Sequence, residues 1–428
     1  MAGATTTSSL DVSKRDATIN LGAGPSSLPT AVLLEAAQGL LDFQGTGMGL
    51  TELSHRSSTF KAVVDSAEAS LRALLDIPDD YAVLFTQGGG TEQFSATALN
   101  MLSAHASRRG PAATATPTPA KCDYVVTGSW TAKAVKEAKR LGVAANVAVD
   151  AREHNGGKFG VVPPVSAWKL SSAASAEDAP AMLYYCDNET VDGVEFPAPG
   201  FPIDELPADY AERVPLVADC SSNILSRPID VRRHALIFFG AQKNVGPSGV
   251  TVVIVRRNLI AHDPDAAAVL AQGGPRIPTT LVYKNLADNA SLYNTPPMFS
   301  IYVAGLVFAD LLKHGGVAGA TERAAAKSGL VYGAIADSQG LFVPTVAQAA
   351  ARSRMNVTFR VVSAEGTPDD GLEARFVAAC AQRGIVQVKG HRSVGGIRCS
   401  LYNAVTLEQT AVLVDVMRAF IADERSRR

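Results

Sequence analysis

Apolar positions recur along this chain in two rhythms, and the elements follow from them. Phe60, Val63, Val64, Ala67, Leu71, Leu74 and Leu75 fall at helical spacing and predict a helix facing a core. An earlier helix is predicted from about Pro29, a residue suited to a first helical position, with Val32, Leu33, Ala36, Ala37, Leu40 and Leu41 as its apolar face. Tyr81–Thr86, Asp123–Thr127, Ala181–Cys186, Val214–Ala218, Leu236–Gly240 and Val250–Val255 read instead as short strands. Helices carrying Phe94, Ala98 and Leu102, and one opened by Gly128-Ser129-Trp130 and ended by Gly142, lie between them. Strand–helix alternation to about Asn258 predicts an α/β domain, a largely parallel sheet with helices on both faces.

Beyond residue 290 the pattern changes. A long helix from about Pro297 to Lys313 leads into further helices, short strands at Asn356–Val361 and Ile385–Val388, and a closing helix from about Leu407 to Phe420. This predicts a large domain over 18–290 and a smaller α+β domain over 291–428, with the first residues to about 30 associating with the smaller one. Residues 1–17, rich in Ala, Ser and Thr, read as a disordered cytosolic tail. The stretches 104–120 and 171–179 read as surface insertions.

Composition narrows the class. Hydrophobic residues make up 47% of the chain and charged ones 19%, enough apolar surface for real cores. A net charge of −2 gives no argument for a nucleic-acid or membrane partner. No run approaches the ~18 apolar residues of a membrane span. The five cysteines are scattered with no CxxC spacing, which argues against a zinc site or a disulfide framework and for a reducing compartment.

Chemistry gathers where strands end. Asp219 follows one buried strand, and Gln242-Lys243 follows the next, ahead of the turn Gly246-Pro-Ser-Gly249. A lysine placed there can hold an aldehyde cofactor as a Schiff base while an aspartate pairs with a pyridine nitrogen. The bland readings are a surface lysine and a turn-forming aspartate. Gln87-Gly88-Gly89-Gly90-Thr91, between a strand and a helix, presents backbone N–H groups to a phosphate or simply makes a tight turn. Trp130 suits stacking on a flat ring or packing, and Thr190 suits an oxygen contact or its own turn. Ser54-His55-Arg56 and Lys389-Gly390-His391-Arg392 with Arg398 form two basic clusters, suited to carboxylate and phosphate or to surface ion pairs.

Taken together, the motifs resemble those of the phosphoserine aminotransferase family, enzymes of fold type I that depend on pyridoxal 5′-phosphate (PLP). The matching stretches are Ser54–Ser57, Gly88–Phe94, Asn188–Gly193, Ala218–Val231, Gly240–Gly249, Leu292–Pro297, Ser353–Asn356 and Lys389–Arg398, spread over residues 20 to 420. The resemblance implies a mainly parallel seven-stranded sheet in the PLP-dependent transferase fold. It implies that Lys243 carries the cofactor and shuttles a proton, that Asp219 pairs with its ring nitrogen, that Trp130 stacks on it, and that Thr190 reaches its 3′-oxygen region. Gly90, Thr91 and Gln242 would hold the cofactor phosphate. Asn294 and Thr295 would reach the phosphate in a neighbouring subunit, hence a homodimer with shared sites. Arg56 would hold the substrate carboxylate, and His55, His391, Arg392 and Arg398 are the further substrate contacts. The implied reaction moves an amino group from L-glutamate to 3-phosphohydroxypyruvate, in the cytoplasm, with no metal.

Two positions depart from the bacterial form of that pattern. Thr91 stands where an arginine can occur, and Ala23 where a serine can contact substrate. An alanine–glyoxylate-type aminotransferase is the enzyme alternative, and it lacks a need for two basic clusters. A nucleotide-binding module is the other, but neither GxxxxGK[ST] nor GxGxxG occurs in this strand–turn–helix.

Overall fold

The apolar runs line up as one sheet in the computed structural model, which describes residues 10–109 and 120–427. In chain order its parts are α1 (Ser58–Leu75), β1 (Tyr81–Thr86), α2 (Gly89–Arg108), β2 (Lys121–Val126), α3 (Ser129–Arg140), β3 (Ala144–Asp150), β4 (Met182–Cys186), β5 (Leu216–Asp219), β6 (Leu236–Gly240) and β7 (Thr251–Arg256). Their spatial order is β1-β7-β6-β5-β4-β2-β3. All neighbours are parallel except β7, which runs antiparallel to both β1 and β6. The reversal is local: after Lys243 the chain turns through Gly246 and Gly249, both at positive φ, and returns along β6. A Cβ on Gly246 would meet Leu28 Cδ2 at 2.3 Å, so the turn tolerates no side chain there.

β3 is the one strand of this sheet that the apolar pattern misses. It lies at the sheet edge, half-buried along most of its length, and its alanines with Asn146 and Asp150 dilute any run. Strand order splits between the neighbours β2 and β4, since β2 leads outward to β3 and β4 leads the other way to β5 and β6. The loops after β1, β2, β4, β5 and β6 all emerge at the same edge. Open α/β sheets bind ligands at such an edge.

The expected boundary after residue 290 does not follow the packing. α4 (Met298–Lys313) lies along α1, and its Ile301, Ala304, Val307 and Phe308 share one apolar cluster with Phe60, Val64 and Leu71. A Cβ on Gly305 would stand 3.1 Å from Ala67 Cβ, so the two helices approach closely. The helix is apolar on most faces, so its periodicity does not say which body it joins. A separate core follows, where α5 (Gly316–Ala336) and α6 (Leu407–Arg427) cover the antiparallel sheet of β8 (Phe342–Pro344), β9 (Asn356–Val361) and β10 (Ile397–Ser400). Ile19–Asn20 pairs with Ile385–Val386, which ties the start of the described chain to this smaller body.

Four further expectations change. Residues 104–108 form the last turn of α2, with Ala104, His105 and Ala106 buried, while 110–119 lie outside the described residues. The stretch from 171 is not a bare surface connection: Ser171 N–H and Oγ donate to buried Asp123 at 2.7 and 2.6 Å, and Ala173 and Ala179 are buried. Within the expected tail, residues 1–9 lie outside the described residues, but Ser13–Asp16 is a helical turn whose Arg15 donates to Thr30 Oγ1 at 3.2 Å. Leu40 and Leu41, expected in a core, are 41% and 79% exposed.

Candidate active site

Lys243 projects from the turn after β6 and its Nζ donates to Thr190 Oγ1 at 2.8 Å. The same amine lies 4.5 Å from the centroid of the Trp130 ring. Burial lowers its pKa, which Asp219, Cys186 and Glu189 oppose and Arg398 reinforces. That direction favours the free amine, the form that forms carbon–nitrogen bonds and accepts protons.

Asp219 ends β5 and is only 3% exposed. Its Oδ1 accepts from Ser221 N–H at 2.9 Å and from Ser221 Oγ at 2.5 Å. Burial raises its pKa, and Lys243 with the Ser221 donors hold it down. Its second oxygen carries no hydrogen bond among the described residues and faces Gly90, where a Cβ would stand 3.8 Å from Oδ2. A cationic N–H donor placed against that oxygen is what the carboxylate lacks.

Gly88 and Gly89, with φ of 83° and 66°, turn the chain from β1 into α2 and leave its first N–H groups without a side-chain cap. The Gln242 side chain reaches this turn: a Cβ on Gly89 would be 3.8 Å from its Nε2. Gly90, Thr91 and Gln242 thus border one free helix N-terminus, suited to a phosphate. Trp130 adds a half-buried ring whose Nε1 is buried without a partner. An unpaired carboxylate oxygen, a half-buried indole ring, a lowered-pKa amine and a free helix end together fit PLP.

On the outer side, Arg398 donates from Nη1 to Thr190 O at 3.4 Å. Burial, then Arg398, Lys133 and Arg392, lower the His391 pKa, so these cations act on one another. Lys133 Nζ also lies 4.0 Å from the Trp130 ring centroid. The structure therefore sets Arg398 against Thr190, with His391 in the field of Arg398, Arg392 and Lys133. The N-terminal basic cluster is placed differently. His55 Nδ1 is 3.2 Å from Thr295 Oγ1, and Asn294 Nδ2 donates to Thr295 O at 3.0 Å. Arg56 beside them is exposed. Among the described residues no hydrogen bond or ion pair joins His55, Arg56, Asn294 or Thr295 to Lys243.

Sequence reasoning passed over Ser221, Glu189, Asp192 and Lys133. Glu189 and Asp192 lie in the loop Asp187–Gly193, whose density of hydrogen-bonding side chains was the available signal. Glu189 accepts from Trp130 N–H, Thr131 N–H and Thr131 Oγ at 2.7, 2.9 and 2.6 Å, and Asp192 accepts from Ser129 N–H and Oγ at 2.7 and 3.1 Å.

A family model described as aminotransferase class-V matches residues 18–125 and 133–413. The phosphoserine aminotransferase of Drosophila melanogaster is 45% identical over 408 residues, spanning 95% of this chain and 100% of that protein. That of Nitrosomonas europaea is 43% identical over 401 residues, 94% of this chain and 97% of its own. Among solved structures, the phosphoserine aminotransferase from Bacillus circulans subsp. alkalophilus superposes with a TM-score of 0.81 at 40% identity, covering 96% of this chain and 99% of that one. An alanine–glyoxylate aminotransferase from Nostoc, with a TM-score of 0.65 at 16% identity over 96% and 99% of the two chains, shares the fold alone. Identity at this level across nearly the whole of both chains shows that this protein belongs to the class-V aminotransferases, in the phosphoserine aminotransferase family.

Proposed function

We propose that this chain is a PLP-dependent phosphoserine aminotransferase, moving the amino group of L-glutamate to 3-phosphohydroxypyruvate to give O-phospho-L-serine and 2-oxoglutarate in L-serine biosynthesis. The observation that carries it is the lysine amine set between Thr190 and Trp130 beside the half-satisfied carboxylate of Asp219, in a chain 45% identical to a protein of that name. PLP, when bound, supplies an electron sink for the charge left at the substrate Cα.

The chain's own groups do the rest. Lys243 Nζ, its pKa lowered by burial, takes the proton from the Cα of glutamate and, in the second half of the reaction, delivers one to the Cα of the O-phospho-L-serine formed. Thr190 Oγ orients that amine. Asp219, fixed by Ser221, would offer its free oxygen to the ring N–H of bound cofactor, and Trp130 would shield that ring from water. Gly90, Thr91 and Gln242 hold the cofactor phosphate. His391, Arg392, Arg398 and Lys133 supply the positive charge that a substrate carrying both phosphate and carboxylate requires.

The working unit is a homodimer, and His55, Arg56, Asn294 and Thr295 act in the partner's site. Two observations support this. His55, Asn294 and Thr295 are joined by hydrogen bonds, with Arg56 next to His55 in the chain, and among the described residues none of the four bonds Lys243. Leu34, Leu40, Leu41 and Met48 are exposed apolar side chains close in sequence to that cluster, each at least 41% accessible. The scattered free cysteines, all five buried, suit the cytoplasm.

The deciding experiment is a glutamate-dependent assay on 3-phosphohydroxypyruvate beside hydroxypyruvate. A strong preference for the phosphorylated substrate is expected; equal efficiency on both would remove the phosphate-specific reading.

A further inference from the structure

Trp130 and Thr190 come from different loops, yet one side chain holds both. Glu189 is 0% exposed, and its carboxylate takes three donors from the first turn of α3, including the Trp130 N–H at 2.7 Å. Its next residue in the chain is Thr190, the acceptor for Lys243. Gly128 makes room for it, since a Cβ there would lie 2.4 Å from Glu189 Cγ. Asp192 takes the Ser129 donors beside it.

We propose that Glu189 is the positioning residue of the cofactor pocket: its buried anion ties the stacking tryptophan to the loop that orients the catalytic amine, and its protonation loosens that tie. The proposal deepens the transaminase reading of this same site and rests on it. The three donors are all directed at the carboxylate, so the anion satisfies them fully, whereas the acid carries a hydrogen on one oxygen and accepts from them more weakly. Burial, then the charge of Asp192, nevertheless raise the Glu189 pKa to about 7, against the Thr131 and Trp130 donors.

The charged and titratable groups around it come from several elements. Asp192, Tyr184, Cys186 and Lys243 act on it directly or share its field. Lys133 and Arg152 act one step away, through Asp192. Because the folded chain binds the Glu189 proton more tightly than the unfolded chain, ionising this group lowers stability as pH rises from the ordinary glutamate range through about 7. A neutral side chain would serve stability; only the anion serves the three donors fully. That asymmetry marks the residue as one kept for the pocket.

The test uses a Trp168→Phe background, in which Trp130 is the remaining tryptophan of the two. In cofactor-free protein, Trp130 emission is expected to pass through a transition near neutral pH, and Glu189→Gln is expected to abolish it. The same variant should weaken PLP binding about tenfold or more, the scale of a lost charged hydrogen bond. Thr131→Val, which removes one donor to the anion, should move the transition to higher pH and covers the case in which Glu189→Gln does not fold. Wild-type affinity and an unchanged emission profile in Glu189→Gln, or an unmoved transition in Thr131→Val, would overturn the proposal. Failure of the wild type to use 3-phosphohydroxypyruvate would remove the proposed reaction while leaving these cofactor readouts intact.

Discussion

Lys243 Nζ and Thr190 Oγ1 stand 2.8 Å apart, joining the turn after β6 to the loop after β4. The amine therefore has a fixed direction as well as a lowered pKa. Lys243→Ala is expected to abolish turnover and the absorbance of lysine-bound cofactor. Thr190→Val should keep that absorbance but lower kcat about tenfold, the worth of one well-placed hydrogen bond in the reacting geometry. Turnover by Lys243→Ala at the wild-type rate would end the assignment of the lysine.

Asp219 depends on Ser221 for its orientation. Asp219→Asn keeps the shape but loses the anion, so the ring nitrogen of bound cofactor loses the partner that keeps it protonated. Single-turnover rates with glutamate should drop roughly 10²–10³-fold, a span set by losses of one aimed electrostatic contact. Ser221→Ala removes two bonds, since its Oγ donates to Asp219 and accepts from Gly240 N–H at 3.0 Å. About 1 kcal/mol of stability and a smaller rate loss are expected. An Asp219→Asn enzyme as fast as wild type would show that the carboxylate charge is idle.

A second charged group holds the loop from the other side. Arg227 Nη2 donates to Asp187, and its Nη1 lies 3.3 Å from Glu195, which also pairs with Arg354 at 2.8 Å. Burial pushes the Glu195 carboxyl up, but Arg227 and Arg354 outweigh it and hold the pKa below its ordinary value. A carboxyl with a depressed folded pKa stabilises the protein above its unfolded value of 4.5, and that contribution is lost as pH falls through the folded value. Arg227→Met should cost roughly 3–5 kcal/mol at neutral pH by stranding buried carboxylates, with the difference from wild type shrinking below pH of about 4.5. Urea unfolding at pH 7 and pH 4 checks both parts; an equal difference at the two pH values would refute the pairing.

Strand ends were readable because apolar runs stop abruptly at Asp219 and at Gln242-Lys243, and a parallel sheet places such stops at one edge. The same logic found Tyr81–Thr86 and Leu236–Gly240 to the residue. It could not find β3, whose edge position removes the need for a continuous apolar run. Nor could it assign α4, because a helix apolar on most faces gives no preferred partner. Within the site, Trp130 and Lys243 announce themselves by residue type, whereas Glu189 and Ser221 act through hydrogen bonds whose partners lie 58 and 19 residues away in sequence. Lys133 was hidden differently: it sits on the polar face of α3 and reads as an ordinary solvated charge.

His55 and Thr295 meet within one chain without bonding Lys243 among the described residues, so the dimer reading has a direct consequence for mixed subunits. If Arg56 and its neighbours serve the partner's site, Lys243→Ala and Arg56→Ala proteins are each inactive or nearly so, yet they complement. In a mixed dimer, the subunit that keeps Lys243 borrows Arg56 from the subunit that lacks the lysine, and one of the two sites is whole. Random exchange of equal amounts makes half of the dimers mixed, so about a quarter of wild-type activity should return. If Arg56 instead serves its own subunit's site, every site in the mixture carries one lesion or the other and no activity returns. Co-expression with two different tags, isolation of the doubly tagged species and a glutamate-dependent assay separate the two outcomes. The mixed dimer should also show half the lysine-bound cofactor absorbance of wild type, which confirms its composition independently of turnover.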